Sequence, residues 1–266
     1  NRSSILSIVK EETLKGNLAH SIFEKILNEV KDSDRNWNKE EIEIWAEQQI
    51  PIFFEREGSV LMMYGYEAER RAFINMMKHS IWVLINSIQV NNWKIVSTEI
   101  DLSGMLDGQQ LKGKADLILE RANEKAVIDL KFKGTERFRN KIKSREDIQL
   151  VIYSKLADDE WAQTAYYIIS NAKLLSRNNL AFAEAEALMP EEDYKAINND
   201  IWNKLMNTYN WRINQINDGI IEIRNSENLE ALEDAYSGID LISMLEMRRD
   251  DAPYDNYKVL IGNSGK

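Results

Sequence analysis

The 266-residue chain carries 34 Lys and Arg against 44 Asp and Glu, a formal net charge of −10, and 44% of its residues are hydrophobic. These proportions exclude wholesale disorder, and the length suffices to bury a sizeable core in one large domain or one domain with an insertion. The absence of cysteine excludes disulfides, thiolate zinc sites, iron–sulfur clusters and a cysteine nucleophile.

Leu18, Ile22, Ile26 and Leu27, then Phe73, Met76, Met77, Ile81 and Leu84, recur at helical spacing, so the first 92 residues are predicted to be helical. Ser33 to Asn38 is a polar break, and Pro51 is expected to open or kink a further helix. At Trp93 the pattern changes. Ile95–Leu102, Gln110–Glu120 and Lys125–Lys133 alternate as three strands, joined by turns at Asp107-Gly108 and around Ala122-Asn123. Helix is expected to return at Ser144, where Ser144-Arg-Glu-Asp147 is a variant capping box. Ala165–Ser170 reads as a strand, Leu180–Ala185 as a sixth candidate segment, and Glu191 to about Met247 as mostly helix. The order indicates a mixed α/β or α+β fold. No apolar stretch approaches the roughly 18 residues of a membrane span and nothing resembles a signal peptide, so a cytoplasmic protein is expected. The chain begins with Asn rather than Met and is read as a piece of a longer chain.

The second and third strands hold the informative residues. Lys112, Lys114, Asp116, Ile118 and Glu120 share one face; Val127, Asp129, Lys131 and Lys133 share another, opposite Ile128, Leu130 and Phe132. A hairpin symmetric about Ala122-Asn123 pairs positions that sum to 245, which sets Asp116 across from Asp129. Their Cβ atoms would then lie about 4.5–5.5 Å apart. Carboxylates that close repel, and a divalent cation between them removes the repulsion. A one-residue slip would put them on opposite faces. The plainer alternative makes them edge-strand charges in solvent, neutralised by Lys114 and Lys131.

From Lys131 to Arg145 the chain carries seven basic residues (Lys131, Lys133, Arg137, Arg139, Lys141, Lys143 and Arg145) against Glu136 alone. That window is 7 − 1 = +6, and the remainder is 27 − 43 = −16. Taken alone, such a run reads as a solvated loop.

Gly113-Lys-Ala-Asp116, Asp129-Leu-Lys131 and Gln149-Leu-Val-Ile-Tyr153 together resemble the signature of the PD-(D/E)XK nucleases. With Gly16-Asn-Leu-Ala-His20 ahead of them, the set resembles the RecB-like exonuclease branch, in order and spacing, over roughly residues 14–170. The 95 residues from 21 to 115 match the long helical insertion of that branch. The tail, Ala252-Pro-Tyr-Asp255 through Ile261-Gly262, resembles the C-terminal segment of AddB-type helicase–nuclease subunits. Ala252, Asp255 and Ile261 stand where that segment has cluster-holding cysteines, so no iron–sulfur cluster is expected. Ala115 stands where the family signature has Pro.

The resemblance implies a restriction-endonuclease-like core, with a central mixed sheet flanked by helices and a helical N-terminal insertion. It implies one nuclease domain over residues 1–266: insertion at about 28–92, catalytic core at about 93–170, helical C-terminal part at about 190–266. His20, Asp116, Asp129 and the Leu130 carbonyl would bind Mg²⁺ or Mn²⁺. Lys131 would position or activate the attacking water, and Gln149 and Tyr153 would support the site and the DNA strand. The basic window then lies at the mouth of the site, where Lys133, Arg137, Arg139, Lys141, Lys143 and Arg145 would meet the DNA backbone. Phe138, and less so Phe132 on the opposite face from Lys131, would offer stacking surfaces for unpaired bases. His79, Glu67 and Glu69 read as ordinary helix residues. The implied activity is a metal-dependent DNA exonuclease acting at ends with a helicase partner, in double-strand-break processing and recombination repair. The alternatives are a catalytically silent DNA-end-binding or scaffold module, and a restriction endonuclease, for which no recognition domain is visible.

Overall fold

The structure is a computed structural model, and it describes residues 11–33, 35–106, 108–158, 160–222, 230–231, 236 and 238–246. The tail at 252–262 and Asp107 lie outside the described residues. Three helices come first: α1 (Glu11–Ser33), α2 (Lys39–Arg56) and α3 (Glu67–Val90), with a 3-10 turn at Ser59–Met62. A meander follows: β1 (Lys94–Leu106), β2 (Gln109–Arg121) and β3 (Glu124–Lys131). Then come α4 (Thr135–Lys143), α5 (Ile148–Ala157), β4 (Gln163–Ile168), β5 (Lys173–Ser176), β6 (Glu186–Ala187) and α6 (Tyr194–Asn217). The chain forms two compact units, Asn1–Ile197 and Asn198–Lys266.

The six strands form one mixed sheet in sequence order. β1, β2 and β3 pair antiparallel, β3 and β4 parallel, β4 and β5 antiparallel, and β5 and β6 parallel. A parallel pair needs a crossover, which α4 and α5 supply between β3 and β4. One sheet face, with Leu117, Leu119, Ala126, Ile128, Leu130 and Tyr167, packs against Leu18, Ile22, Phe23, Ile81 and Leu84 of the N-terminal helices. The other carries Ala115, Ile118 and Val127 under Tyr153. With both faces covered, the centre of β3 is buried without interruption, as interior strands are.

Several expectations are corrected. Pro51 opens no helix; it lies inside α2, whose buried Ile42, Trp45, Ala46, Ile50 and Phe54 bracket it. The helix starts instead at Asn38, whose side chain accepts from the Glu41 backbone in a capping box. The basic window is largely helical: α4 anchors itself through buried Phe138 and Ile142 and ends at Ser144, so Ser144 caps a C-terminus. Asp147 precedes α5 without a side-chain capping bond, because its carboxylate is taken by Arg177. Leu180–Ala185 is irregular, since its backbone is held by side chains: the Trp93 indole donates to Ala181 O at 2.7 Å and Asn91 Oδ1 accepts from Ala183 N at 3.1 Å. In the C-terminal unit α6 stops at Asn217, ahead of Gly219 at φ 77°, and Leu241–Ser243 is a 3-10 turn.

Candidate active site

The β2–β3 hairpin turns at Ala122, whose φ is 52°, and pairs Arg121 with Glu124 through to Leu117 with Ile128. These are the pairs expected from a turn symmetric about 122–123. The ladder ends where the aspartates begin. Beyond it Asp116 Oδ2 accepts the backbone N–H of Leu130 at 2.6 Å, so a carboxylate stands where a strand partner would. On the other side of β2, the β1 ladder pairs Thr98 with Leu117 and Ile100 with Ala115, passing over Glu99 and Asp116. Glu99 has a φ of 49°, a left-handed conformation that is rare for a non-glycine residue inside a strand.

His20 reaches this gap from α1, which is fixed by buried Leu18, Ile22 and Phe23 and by a hydrogen bond from Thr98 Oγ1 to Asn28 Oδ1 at 3.0 Å. Its Nδ1 lies 3.9 Å from Asp116 Oδ1 and 4.0 Å from Glu99 Oε1. Ligand atoms of His20, Glu99 and Asp116 all lie within 4.8 Å of one another, a grouping able to hold a metal ion. Lys114 Nζ is 2.7 Å from Glu99 Oε2. Asp129 is 2% exposed, and its Oδ2 is 2.6 Å from Lys131 Nζ. That is a close ion pair outside hydrogen-bond geometry, so this buried oxygen has no hydrogen-bond partner.

Burial pushes the Asp116 carboxyl up to about 6, against the opposing Leu130 N–H. Burial likewise pushes Asp129 up to about 6, with Lys131 opposing and Asp116 adding to the shift. Burial holds His20 below its ordinary value, so at neutral pH its ring is uncharged and has a lone pair to give.

Gln149 Nε2 donates to Tyr153 Oη at 2.9 Å on α5. Tyr153 is buried, and a Cβ at Gly113 would stand 2.7 Å from its ring, so Gly113 is the space Tyr153 occupies. The basic side chains divide. Lys133 pairs with Glu12 at 2.8 Å, Arg145 with Glu192 at 2.6 Å, and Arg139 with both Glu186, at 2.6 Å, and Glu136. Arg137, Lys141 and Lys143 have no carboxylate partner among the described residues. Phe138 is no stacking surface for bases: it is 7% exposed, with its ring centroid 4.6 Å from that of Tyr166. Phe132 packs towards the core beside Phe73. A cavity of about 330 Å³ lined by Arg212, Gln215, Ile216, Ile220, Ile221 and Glu222 belongs to the C-terminal unit and contains none of these residues.

Glu99 is the member that sequence reading missed. The signal was present: a hairpin symmetric about Asp107-Gly108 makes β1–β2 partners sum to 215, which sets 99 opposite 116.

A search of curated proteins finds no match. A family model, the PD-(D/E)XK nuclease superfamily, matches residues 5–229. That span holds His20, Asp116, Asp129, Lys131, Gln149 and Tyr153, and it is most of the chain: the chain belongs to the PD-(D/E)XK nuclease superfamily.

Proposed function

We propose that the chain is a metal-dependent deoxyribonuclease that hydrolyses phosphodiesters from DNA ends, as an exonuclease coupled to a helicase in break processing and recombination repair. The observation that carries this is the pair of aspartates at the end of the β2–β3 ladder, Asp129 buried and Asp116 half-buried, with Lys131 against Asp129. The end-directed, helicase-coupled part is supported by the RecB-like placing of Gly16–His20 and Gln149–Tyr153. No described helix is long and apolar enough to cross a membrane; a cytoplasmic place belongs to the proposal.

The donor set fits a divalent cation. Two aspartates carry charge that burial disfavours, the Asp129 Oδ2 atom is buried without a hydrogen bond, and a neutral imidazole stands beside them. Hard oxygens with one imidazole suit Mg²⁺ or Mn²⁺. A bound cation supplies charge to hold the phosphate and acidifies a water. His20, Asp116 and Asp129, with the Leu130 carbonyl, would hold it. Lys131 places a proton-bearing ammonium beside Asp129, where it orients the attacking water and faces developing negative charge. Arg137, Lys141 and Lys143 on α4 contact the DNA backbone without reading sequence.

The test is digestion of end-labelled linear and covalently closed circular DNA in Mg²⁺, Mn²⁺ or EDTA, beside a Lys131→Ala control. Metal-dependent loss of linear DNA alone, absent in the control, is the expected result. Cutting of circles would replace the exonuclease by an endonuclease. No cutting with calorimetric Mn²⁺ binding would favour a silent end-binding module, and the absence of both cutting and Mn²⁺ binding would overturn the proposal.

A further inference from the structure

Glu99 has two partners on opposite sides. Oε1 lies 4.0 Å from His20 Nδ1, and Oε2 lies 2.7 Å from Lys114 Nζ. With ligand atoms of His20, Glu99 and Asp116 no more than 4.8 Å apart, a common centre lies within about 2.8 Å of each, a short side-chain adjustment from the roughly 2.0–2.6 Å at which hard cations take oxygen ligands. Asp129 adds an independent observation. Its Oδ2 is buried and held by the Lys131 ion pair without a hydrogen bond, its charge acts on His20, and that of Asp116 acts on it.

The two lysines share the counter-ion role. Lys131 neutralises Asp129 and Lys114 neutralises Glu99, while Asp116 accepts the Leu130 N–H. Their surroundings differ. The Lys114 side chain is 57% exposed and can swing into water on its flexible stem; the Glu99 side chain is 17% exposed. An arriving cation therefore displaces the lysine and keeps the carboxylate.

We propose that Glu99 is a further ligand of the divalent cation, and that Lys114 is the counter-ion it releases when the cation binds. The inference rests on the metal-dependent reading above. The released ammonium sits one pleat along β2 from Asp116, on the side open to solvent, where a phosphate of the same strand can take Glu99's place. Lys114 is thus held from DNA until the metal is in position.

The test is calorimetric titration of Mn²⁺ into metal-stripped wild type, Asp116→Asn, Glu99→Gln and Lys114→Met, each checked for an unchanged far-UV spectrum. Glu99→Gln should weaken Mn²⁺ binding at least tenfold. Lys114→Met should tighten it by about two- to fivefold, because an exposed competitor is gone. A residue that served only to brace the sheet would not give shifts of opposite sign. If Asp116→Asn loses binding while Glu99→Gln keeps wild-type affinity, the inference is overturned and the metal-dependent reading stands. Weakening in both Glu99→Gln and Lys114→Met would overturn the exchange. No heat from wild type would overturn inference and reading together.

Discussion

Asp116→Asn separates what the site costs the fold from what it gives to chemistry. The Asn Oδ1 still accepts the Leu130 N–H, so the change removes charge and leaves the shape. With the folded carboxyl at about 6 and the unfolded one at its ordinary 3.8, the shift corresponds to about 3 kcal/mol of destabilisation at neutral pH. The unfolded chain releases its proton first as pH rises, so stability falls between about 4 and 6 and the full cost is present above about 6. That shift already sets the charge-assisted Leu130 hydrogen bond against burial, and the Asn oxygen keeps a neutral one, so the variant gains about 3 kcal/mol at pH 8. For a chain of this size that raises the melting temperature by several degrees, on the order of 2–4 °C per kcal/mol. Thermal unfolding in EDTA should show the gain in full at pH 8 and about half of it at pH 5. Added Mn²⁺ should stabilise wild type and leave the variant where it is. A variant that melts at or below wild type at pH 8 in EDTA would refute the reasoning, because the carboxylate would then carry no desolvation cost.

Three further outcomes follow from the packing. Gly113→Ala drives a methyl to 2.7 Å from the Tyr153 ring and should cost about 1–3 kcal/mol in urea unfolding, most of it recovered by adding Tyr153→Leu; no recovery would place the strain elsewhere. Arg177→Met strands the buried Asp147 carboxylate and should cost about 3–5 kcal/mol, while the Arg177→Met, Asp147→Leu double variant should restore much of it. Equal destabilisation of single and double variants would mean that the pair fixes the α4–α5 joint in a way apolar packing cannot. Neutralising Arg137, Lys141 and Lys143 together should flatten the salt dependence of DNA binding by up to about three units, whereas Arg145→Gln, already paired with Glu192, should change it far less. An unchanged slope in the triple variant would remove α4 from the DNA interface.

The hairpin that brings Asp116 towards Asp129 was legible because its determinants are local: a short turn, alternation on both strands, and a register fixed by buried Leu117, Leu119, Ala126 and Ile128. α4 was hidden because only Phe138 and Ile142 in its nine residues are buried apolar anchors, and the charges around them read as solvated loop. The Ser144 capping box failed for a non-local reason, since Asp147 answers to Arg177 thirty residues on. Glu99 looked like any strand carboxylate because its role depends on a partner from β2, a ligand from α1 and a backbone twist that no alternation pattern announces.

The Asp116–Leu130 contact spans only 14 residues, all within one hairpin, whereas His20 arrives from a helix that precedes the whole meander. Contacts of short sequence separation close with the smallest loss of chain entropy. The acidic half of the centre is therefore local, and the imidazole half depends on helices docking over Leu117 and Ile128. In an assembling chain, the repulsion between the aspartates falls on the hairpin before the helices shield it. The apolar strip behind the carboxylates, more than the carboxylates themselves, sets whether that hairpin stays closed until a cation arrives.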